Sequence, residues 1–349
     1  MAYQPIQSPA NWSGPELMAR SDWLQAFTAE EIAEIDAAFR AFQATGRSLA
    51  GMRREDFPLY RLPKLVERVH DYLENGPGIF MIRGFPVTRY TTNELRTIYW
   101  GLGKYFGTAL SQSSEGDVIG DVRDLGIPKD SPRHRGYKTS YGDRFHCDTC
   151  DVAALFVLRT AMKGGVSMAA SSIAIHNEIL RTRPDLLDVL YQPFTWSMQQ
   201  QERPGEPSTY PQPVFSMHEG YFSCRYIQGQ IRSAQLKPEV PRLSAAQNEA
   251  IELINALVMK PEFRAETNFQ PGDLQFVNNH VLLHARTTFY DYPELDRRRH
   301  LLRMWLSVPN SRPLSPLLGH IYNDRSPGAV RGGFPPRTPG TIVFETTEA

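Results

Sequence analysis

The chain is poor in cysteine, in net charge and in long apolar runs. Three cysteines in 349 residues cannot build a disulfide framework, which points to a reducing compartment. Lys plus Arg number 38 and Asp plus Glu 38. No overall field therefore draws the chain to nucleic acid or to an anionic membrane, and neither is expected as a partner. The longest apolar runs, such as Val152 to Leu158, fall far short of the roughly 20 residues a helix needs to cross a bilayer. Met1 to Glu16 is polar, is broken by Pro5, Pro9 and Pro15, and lacks the basic start and apolar core of a signal peptide, so a cytoplasmic location is expected. What is plentiful is core material. Hydrophobic residues make up 41% of the chain, enough for two domains of roughly 150 residues or one large decorated domain.

The first third reads as helical with one strand. Thr28 with Glu31, and Thr91 with Glu94, are capping-box pairs ahead of apolar residues at helical spacing. Pro63, the Leu65, Val66, Val69 and Leu73 stripe and Gly76 as a stop give a further helix. The short run Ile79 to Ile82 between glycines reads as a buried strand. From about Asp117 the texture changes to short apolar runs separated by Gly, Pro, Ser and Asn. The strand candidates are 152–158, 166–170, 214–216, 221–226, 273–277, 281–285 and 300–308. Two helices interrupt them, one over 172–180 and one opened by Ser244 and Gln247. Many short strands suggest a sandwich or jelly roll. Segments 123–139 and 199–213 read as long loops, the kind that often serve as lids.

Three segments could carry chemistry. In Arg144-Phe145-His146-Cys147-Asp148, an extended backbone would project His146 and Asp148 to one face and Cys147 to the other. In the second, Pro271 to Arg286, His284 follows an apolar strand-like run where an imidazole is costly unless bonded. His284 is the candidate third ligand, and His280 competes for the role. Two imidazoles and one carboxylate form the facial triad of non-haem Fe(II) oxygenases. In the third segment, Arg297 to Leu306, Arg299 and Arg303 share a strand face with Leu301 and Trp305. If that face is interior, two guanidinium groups need buried anions, and a carboxylate would satisfy one of them.

Together these segments resemble the taurine and 2,4-dichlorophenoxyacetate dioxygenase family of Fe(II)- and 2-oxoglutarate-dependent oxygenases. The match covers roughly Gly78 to Val308. It rests on His146-x-Asp148, Asn279-x4-His284, Arg299-x3-Arg303 and a Gly164-Gly165-Val166-Ser167 element in which serine stands for the family's threonine. The resemblance implies a mainly β fold with helical flanks, a double-stranded β-helix or jelly roll, as a single catalytic domain over residues 1–349. Residues 1–110 would be the helical flank, 111–308 the core with helical insertions, and 309–349 a proline-rich wrap. It further implies Fe(II) on His146, Asp148 and His284 as catalytic metal ligands, and 2-oxoglutarate as co-substrate. Arg299 would hold the far carboxylate with help from the Ser167 hydroxyl. Arg303 is left to the same carboxylate, a substrate acid or a structural acid. A small polar substrate and O2 would be converted to a hydroxylated product with release of succinate and CO2. Asp148 argues against halogenation, because halogenating relatives lack that carboxylate. Self-association is left open.

Two other classes stay in view: a non-catalytic jelly-roll binding protein, and a zinc hydrolase on the same three ligands. Cys147 and Cys150 have Cys-x-x-Cys spacing, but only Cys224 remains elsewhere, too few for a zinc site. His176 reads as an ordinary polar contact, and Tyr141 and Asn279 as cavity-wall residues. Arg133, His134 and Arg135 would meet an anionic substrate if their loop closes over the site.

Overall fold

The computed structural model describes residues 3–127, 136–202 and 205–344. Arg133, His134 and Arg135 lie outside the described residues.

A period of two organises the centre. In the strand Val152–Arg159, Val152, Ala154, Phe156 and Leu158 pack with apolar residues of the helices Leu62–Glu74 and Thr92–Phe106, while Ala153 and Leu155 line a cavity. The strands Leu274–Asn278 and His300–Ser307 divide the same way. Leu274, Phe276, Leu302, Met304 and Leu306 join the helical side, and Gln275, Val277, Arg303 and Trp305 line the cavity. Side chains alternate across a strand, so the two polar residues Gln275 and Arg303 reach the cavity rather than the helices. On the helical side, burying a ring such as Phe156 or Phe276 contributes about 1.5–3 kcal/mol.

Among the described residues these strands belong to a seven-stranded sheet. Its order is Leu24–Ala26, Ile79–Arg83, Leu274–Asn278, Val152–Arg159, His300–Ser307 and Thr108–Leu110, with Gly120–Val122 also paired to His300–Ser307. Leu24–Ala26 runs parallel to Ile79–Arg83, and the other pairings are antiparallel. A second sheet has the order Arg264–Thr267, Ser167–Ser171, Leu282–Arg286. The cavity lies between the two, lined by Ala153, Gln275 and Trp305 from the first and by Ser167, His284 and Arg286 from the second. Two sheets closed around a pocket form the expected double-stranded β-helix.

The capping boxes at Thr28–Glu31, Thr91–Glu94 and Ser244–Gln247 all form and open the helices Ala29–Ala44, Thr92–Phe106 and Ala245–Met259. Three readings of the elements change among the described residues. Four helices rather than two interrupt the strands, Pro184–Leu190 and Gln228–Ala234 joining Ser172–Thr182 and Ala245–Met259. The first third holds three strands rather than one; Leu24–Ala26 and Thr108–Leu110, of 3 residues each, are too short to show a period. The loop over 199–213 contains the strand Thr209–Gln212, paired with Phe194–Ser197, with Pro211 opposite Thr195. Proline is tolerated there because the ladder has two strands and both are edges.

The tail after Val308 does more than cover the surface. Arg312 pairs with Glu74 at 2.8 Å and Arg331 with Asp151 at 2.9 Å, all four side chains being nearly or fully buried. Thus anchored, the tail delivers Phe334 to the cavity wall. No helix among the described residues is long and apolar enough to cross a membrane.

Candidate metal and co-substrate site

His146, Asp148 and His284 converge in the cavity, with one ligand atom from each lying within 4.8 Å of the others. His146 Nε2 is 3.7 Å from Asp148 Oδ1, and His284 Nε2 is 3.5 Å from Asp148 Oδ2. The segment carrying the first two residues is not the regular strand the sequence suggested. His146 makes one isolated antiparallel bridge to His284, with backbone N–H···O bonds of 3.0 and 2.8 Å. The Asp148 N–H then donates to Asn279 Oδ1 at 2.9 Å instead of continuing a ladder. The expected division of side chains holds all the same: Cys147 points away, where the Tyr226 N–H donates to its sulfur at 3.0 Å.

Neighbouring groups fix this constellation. The His146 Nδ1–H donates to the Arg144 carbonyl at 2.7 Å, which leaves the Nε2 lone pair for a metal. Arg225, fully buried, donates to the Cys147 carbonyl at 2.9 Å and to Thr149 Oγ1 at 2.7 Å, and so braces the 146–149 segment from behind. Asn279 Nδ2 reaches Cys150 Sγ at 3.1 Å. Asn279 thus clamps the segment at two points and does not line the cavity. Burial and the neighbouring His284 lower the pKa of His146, which favours the neutral imidazole. Burial opposes ionisation of Asp148, but Arg303, His284 and His146 together hold its carboxyl well below the usual range. Asp148 Oδ2 is buried without a hydrogen-bond partner. An orphaned carboxylate oxygen flanked by two imidazoles is what a divalent cation satisfies, so Fe(II) fits this donor set. His284 lacks an anchor like that of His146, since its Nδ1 is buried without a partner.

Arg299 lies at another part of the cavity wall. Its side chain is buried, Nη1 has no partner, and the guanidinium sits 5.0 Å from the centre of the Phe289 ring. Burial first, and Arg286 second, push its pKa down to about 9. Gly164 and Gly165 have φ of 78° and 71°, and a Cβ on Gly165 would lie 3.2 Å from Arg299 Nε. The glycine pair supplies both the left-handed turn and the room for the guanidinium. Ser167 Oγ donates to Gln275 Oε1 at 3.2 Å, and both residues line the cavity. Arg303 Nη1 is 3.6 Å from Asp148 Oδ1 and its Nε donates to Gln112 Oε1 at 2.7 Å, so it borders the Asp148 carboxylate itself.

Other candidates fall elsewhere. His280 Nε2 donates to Asp151 Oδ1 at 2.8 Å away from the cavity, and burial, opposed by Asp151, pushes its pKa down to about 4. His176 is buried against the Tyr191 hydroxyl at 3.0 Å. Tyr141 contributes its carbonyl to Arg286 while its side chain is exposed. Cys147, Cys150 and Cys224 are free and buried. Two arginines carried no role in the sequence reading. Arg286 lines the cavity and joins the barrel to the loop before Asp143 by donating to the carbonyls of Thr139 and Tyr141 at 3.1 and 2.5 Å. Its place two residues after His284, on the same strand face, was the available signal. Arg225, in a strand-like run with no acid beside it, left none.

Two sheets around a cavity that holds two imidazoles, one carboxylate and an arginine whose Nη1 has no hydrogen-bond partner define the class: a non-haem iron oxygenase of the double-stranded β-helix type. Residues 44–305 match the model of the family described as "Taurine catabolism dioxygenase TauD, TfdA family", and the chain belongs to that family. It is 31% identical over 318 residues to FR-33289 synthase of Streptomyces rubellomurinus (strain ATCC 31215), covering 88% of this chain and 92% of that protein. Its fold is similar to that of asparagine oxygenase in complex with Fe(II), 2S,3S-3-hydroxyasparagine and succinate. The TM-score is 0.61 at 17% identity, over 81% of this chain and 93% of that one. It is likewise similar to the non-haem iron oxygenase OrfP in complex with Fe and alpha-ketoglutaric acid, with TM-score 0.59 at 13% identity, over 81% and 93% of the two chains. The protein is an Fe(II)- and 2-oxoglutarate-dependent dioxygenase acting on a small molecule.

Proposed function

We propose that His146, Asp148 and His284 hold the Fe(II), that Arg299 and Ser167 hold the far carboxylate of 2-oxoglutarate, and that a small polar substrate is hydroxylated beside them. The observation that carries this reading is a complementary pair of orphans in one cavity of about 390 Å³: Asp148 Oδ2, which lacks a cation, and Arg299 Nη1, which lacks an anion. When bound, Fe(II) and 2-oxoglutarate supply the activation of O2, with succinate and CO2 as the by-products. The protein's own share is positional. Arg144 and Asn279 hold His146 and Asp148 in register, Arg303 offsets the Asp148 charge, and Trp305, Phe334 and Val277 give the cavity an apolar wall that limits competing water. Asp148 occupies the ligand position a halide would need, which favours hydroxylation. Zinc hydrolysis would leave Arg299 without a purpose.

We read residues 1–349 as one catalytic unit, because strands from the first 110 residues lie in the same sheet as Leu274–Asn278 and His300–Ser307. The three free cysteines suit a reducing cytoplasm. The test is succinate release over a panel of amino acids, betaines, sulfonates and phosphonates. Release that needs Fe(II), 2-oxoglutarate and O2 together and disappears in Asp148→Ala supports the reading. Oxygen-independent turnover on zinc would refute it.

A further inference from the structure

Segment 309–344 lies beyond residues 44–305, the stretch that matches the family model, and one residue of it, Phe334, reaches the cavity. Its approach is fixed from both sides. Just before it, the fully buried Arg331 donates from Nε to Asp151 Oδ1 at 2.9 Å, from Nη1 to the Ser326 carbonyl at 3.0 Å and from Nη2 to the Arg312 carbonyl at 2.7 Å. Gly332 and Gly333 follow, with φ of 87° and 70°. A Cβ on either would lie 2.7 Å from a carbonyl oxygen, that of Thr149 for Gly332 and that of Ser111 for Gly333. Glycine alone combines this left-handed backbone with so close an approach. The Gly333 N–H then donates to the Thr149 carbonyl at 2.7 Å, and the Phe334 N–H to the Ser111 carbonyl at 2.8 Å. Pro335 and Pro336 come next, and a residue that precedes proline is held extended.

The ring so placed continues a row that begins at Asp148. Arg303 lies 3.6 Å from Asp148 Oδ1 and 5.2 Å from the centre of the Trp305 ring, and the Trp305 and Phe334 rings are 5.9 Å apart. The row is also tied to the same segment through the backbone, because Thr149, which accepts the Gly333 N–H, directly follows Asp148. Phe334 is 6% exposed, so it is a fixed part of the wall and not a side chain free to swing aside. Its size matters in this space. An apolar cavity of about 150 Å³ is enough to hold a benzene ring. Beside an open volume of about 390 Å³, one phenyl group more or less decides which molecules fit.

We propose that Phe334 is a specificity-determining residue: the tail sets its ring as a rigid stop that limits the size of the substrate group lying on the Trp305 side of the cavity. The proposal rests on the iron and 2-oxoglutarate reading above, and it concerns the room left for a substrate and not its charge. A stop carried by a segment outside the family match can be changed without touching the barrel strands that bear His284, Arg299 and Arg303.

The test is calorimetric titration of the Fe(II)-loaded protein, kept anaerobic, with N-oxalylglycine and with both enantiomers of N-oxalylphenylalanine. The first is an amide analogue of 2-oxoglutarate. The second is the same molecule with an added benzyl group, which has to find room in the rest of the cavity. Wild type should bind N-oxalylglycine and discriminate against the benzyl forms. Phe334→Ala should keep the N-oxalylglycine affinity and bind at least one benzyl enantiomer at least ~tenfold more tightly than wild type does. Phe334→Leu, which gives up less packing, should fall in between and decides the matter if the alanine variant does not fold. Phe344→Ala alters a tail aromatic that packs 4.8 Å from Trp100 outside the cavity, and should behave as wild type. An unaltered ratio of benzyl to parent affinity in the folded Phe334 variants, wild-type binding of a benzyl form as tight as the parent, an equal gain in Phe344→Ala, or weakened N-oxalylglycine in Phe334→Leu overturns the stop while the co-substrate site still stands. A folded wild type that does not bind N-oxalylglycine overturns the co-substrate site, and the stop with it.

Discussion

Arg299→Met separates a cation kept for a ligand from one kept for the fold. Arg299 is 4% exposed, its Nη1 has no hydrogen-bond partner, and the hydrogen bond to Asp291 is made by its backbone N–H at 2.7 Å, which the substitution spares. A fall in pKa from 12.5 to about 9 corresponds to roughly 5 kcal/mol against the charged form. Without 2-oxoglutarate, then, the guanidinium is a burden. Methionine retains the apolar stem, so the ligand-free variant should unfold in urea at the wild-type midpoint or above it. In the presence of 2-oxoglutarate the sign reverses. Deleting one partner of a desolvated charge pair costs about 2–5 kcal/mol, so calorimetric titration into the Fe(II)-loaded variant should show affinity weakened by at least ~30-fold. A variant that loses several kcal/mol of stability and binds 2-oxoglutarate as tightly as wild type would show that Arg299 serves the fold.

Asn279→Ala removes the clamp on the Asp148 N–H and on Cys150. Iron affinity measured by chelator competition should fall ~10–100-fold, and an unchanged affinity would leave Asn279 without the role given to it. His280 is neutral in the folded protein because its pKa is pushed down to about 4 from 6.5. As pH falls the unfolded chain takes up the proton first. The stability it contributes is therefore complete above about 6.5 and is lost as pH falls toward 4, by up to about 3 kcal/mol. His280→Gln should flatten the urea-unfolding free energy over that interval, and an unaltered slope would place the titration elsewhere. Ser167→Ala should weaken 2-oxoglutarate only ~fivefold, about 1 kcal/mol, since the hydroxyl already has Gln275 as a partner.

The parts of the fold that could be read from sequence are those with a local physical signal. Runs such as Val152–Arg159 and capping pairs such as Thr91–Glu94 announce themselves within a few residues. Strands of 3 residues such as Leu24–Ala26 exist because a neighbour, here Ile79–Arg83, offers a ladder, and nothing local encodes that. The convergence of His146, Asp148 and His284 was legible because the first two are two residues apart and His284 stands in a recognisable context. The roles of Asn279, Arg225 and Arg286 depend on which N–H, carbonyl or hydroxyl the fold brings beside them. The Ser114 to Gln201 bond joins segments separated by more than 80 residues at the cavity, and no spacing along the chain points to it.

The most direct measurement is anaerobic absorption spectroscopy of the protein with Fe(II) and 2-oxoglutarate. If His146, Asp148 and His284 hold the iron beside Arg299, wild type develops a visible charge-transfer band at one iron per chain. Asp148→Ala and His284→Ala, folded as judged by circular dichroism, should not, and Arg299→Met should need far more 2-oxoglutarate to reach it. A folded wild type without the band would mean that the protein does not hold iron and 2-oxoglutarate together, and an undiminished band in Asp148→Ala would mean that they are bound somewhere else.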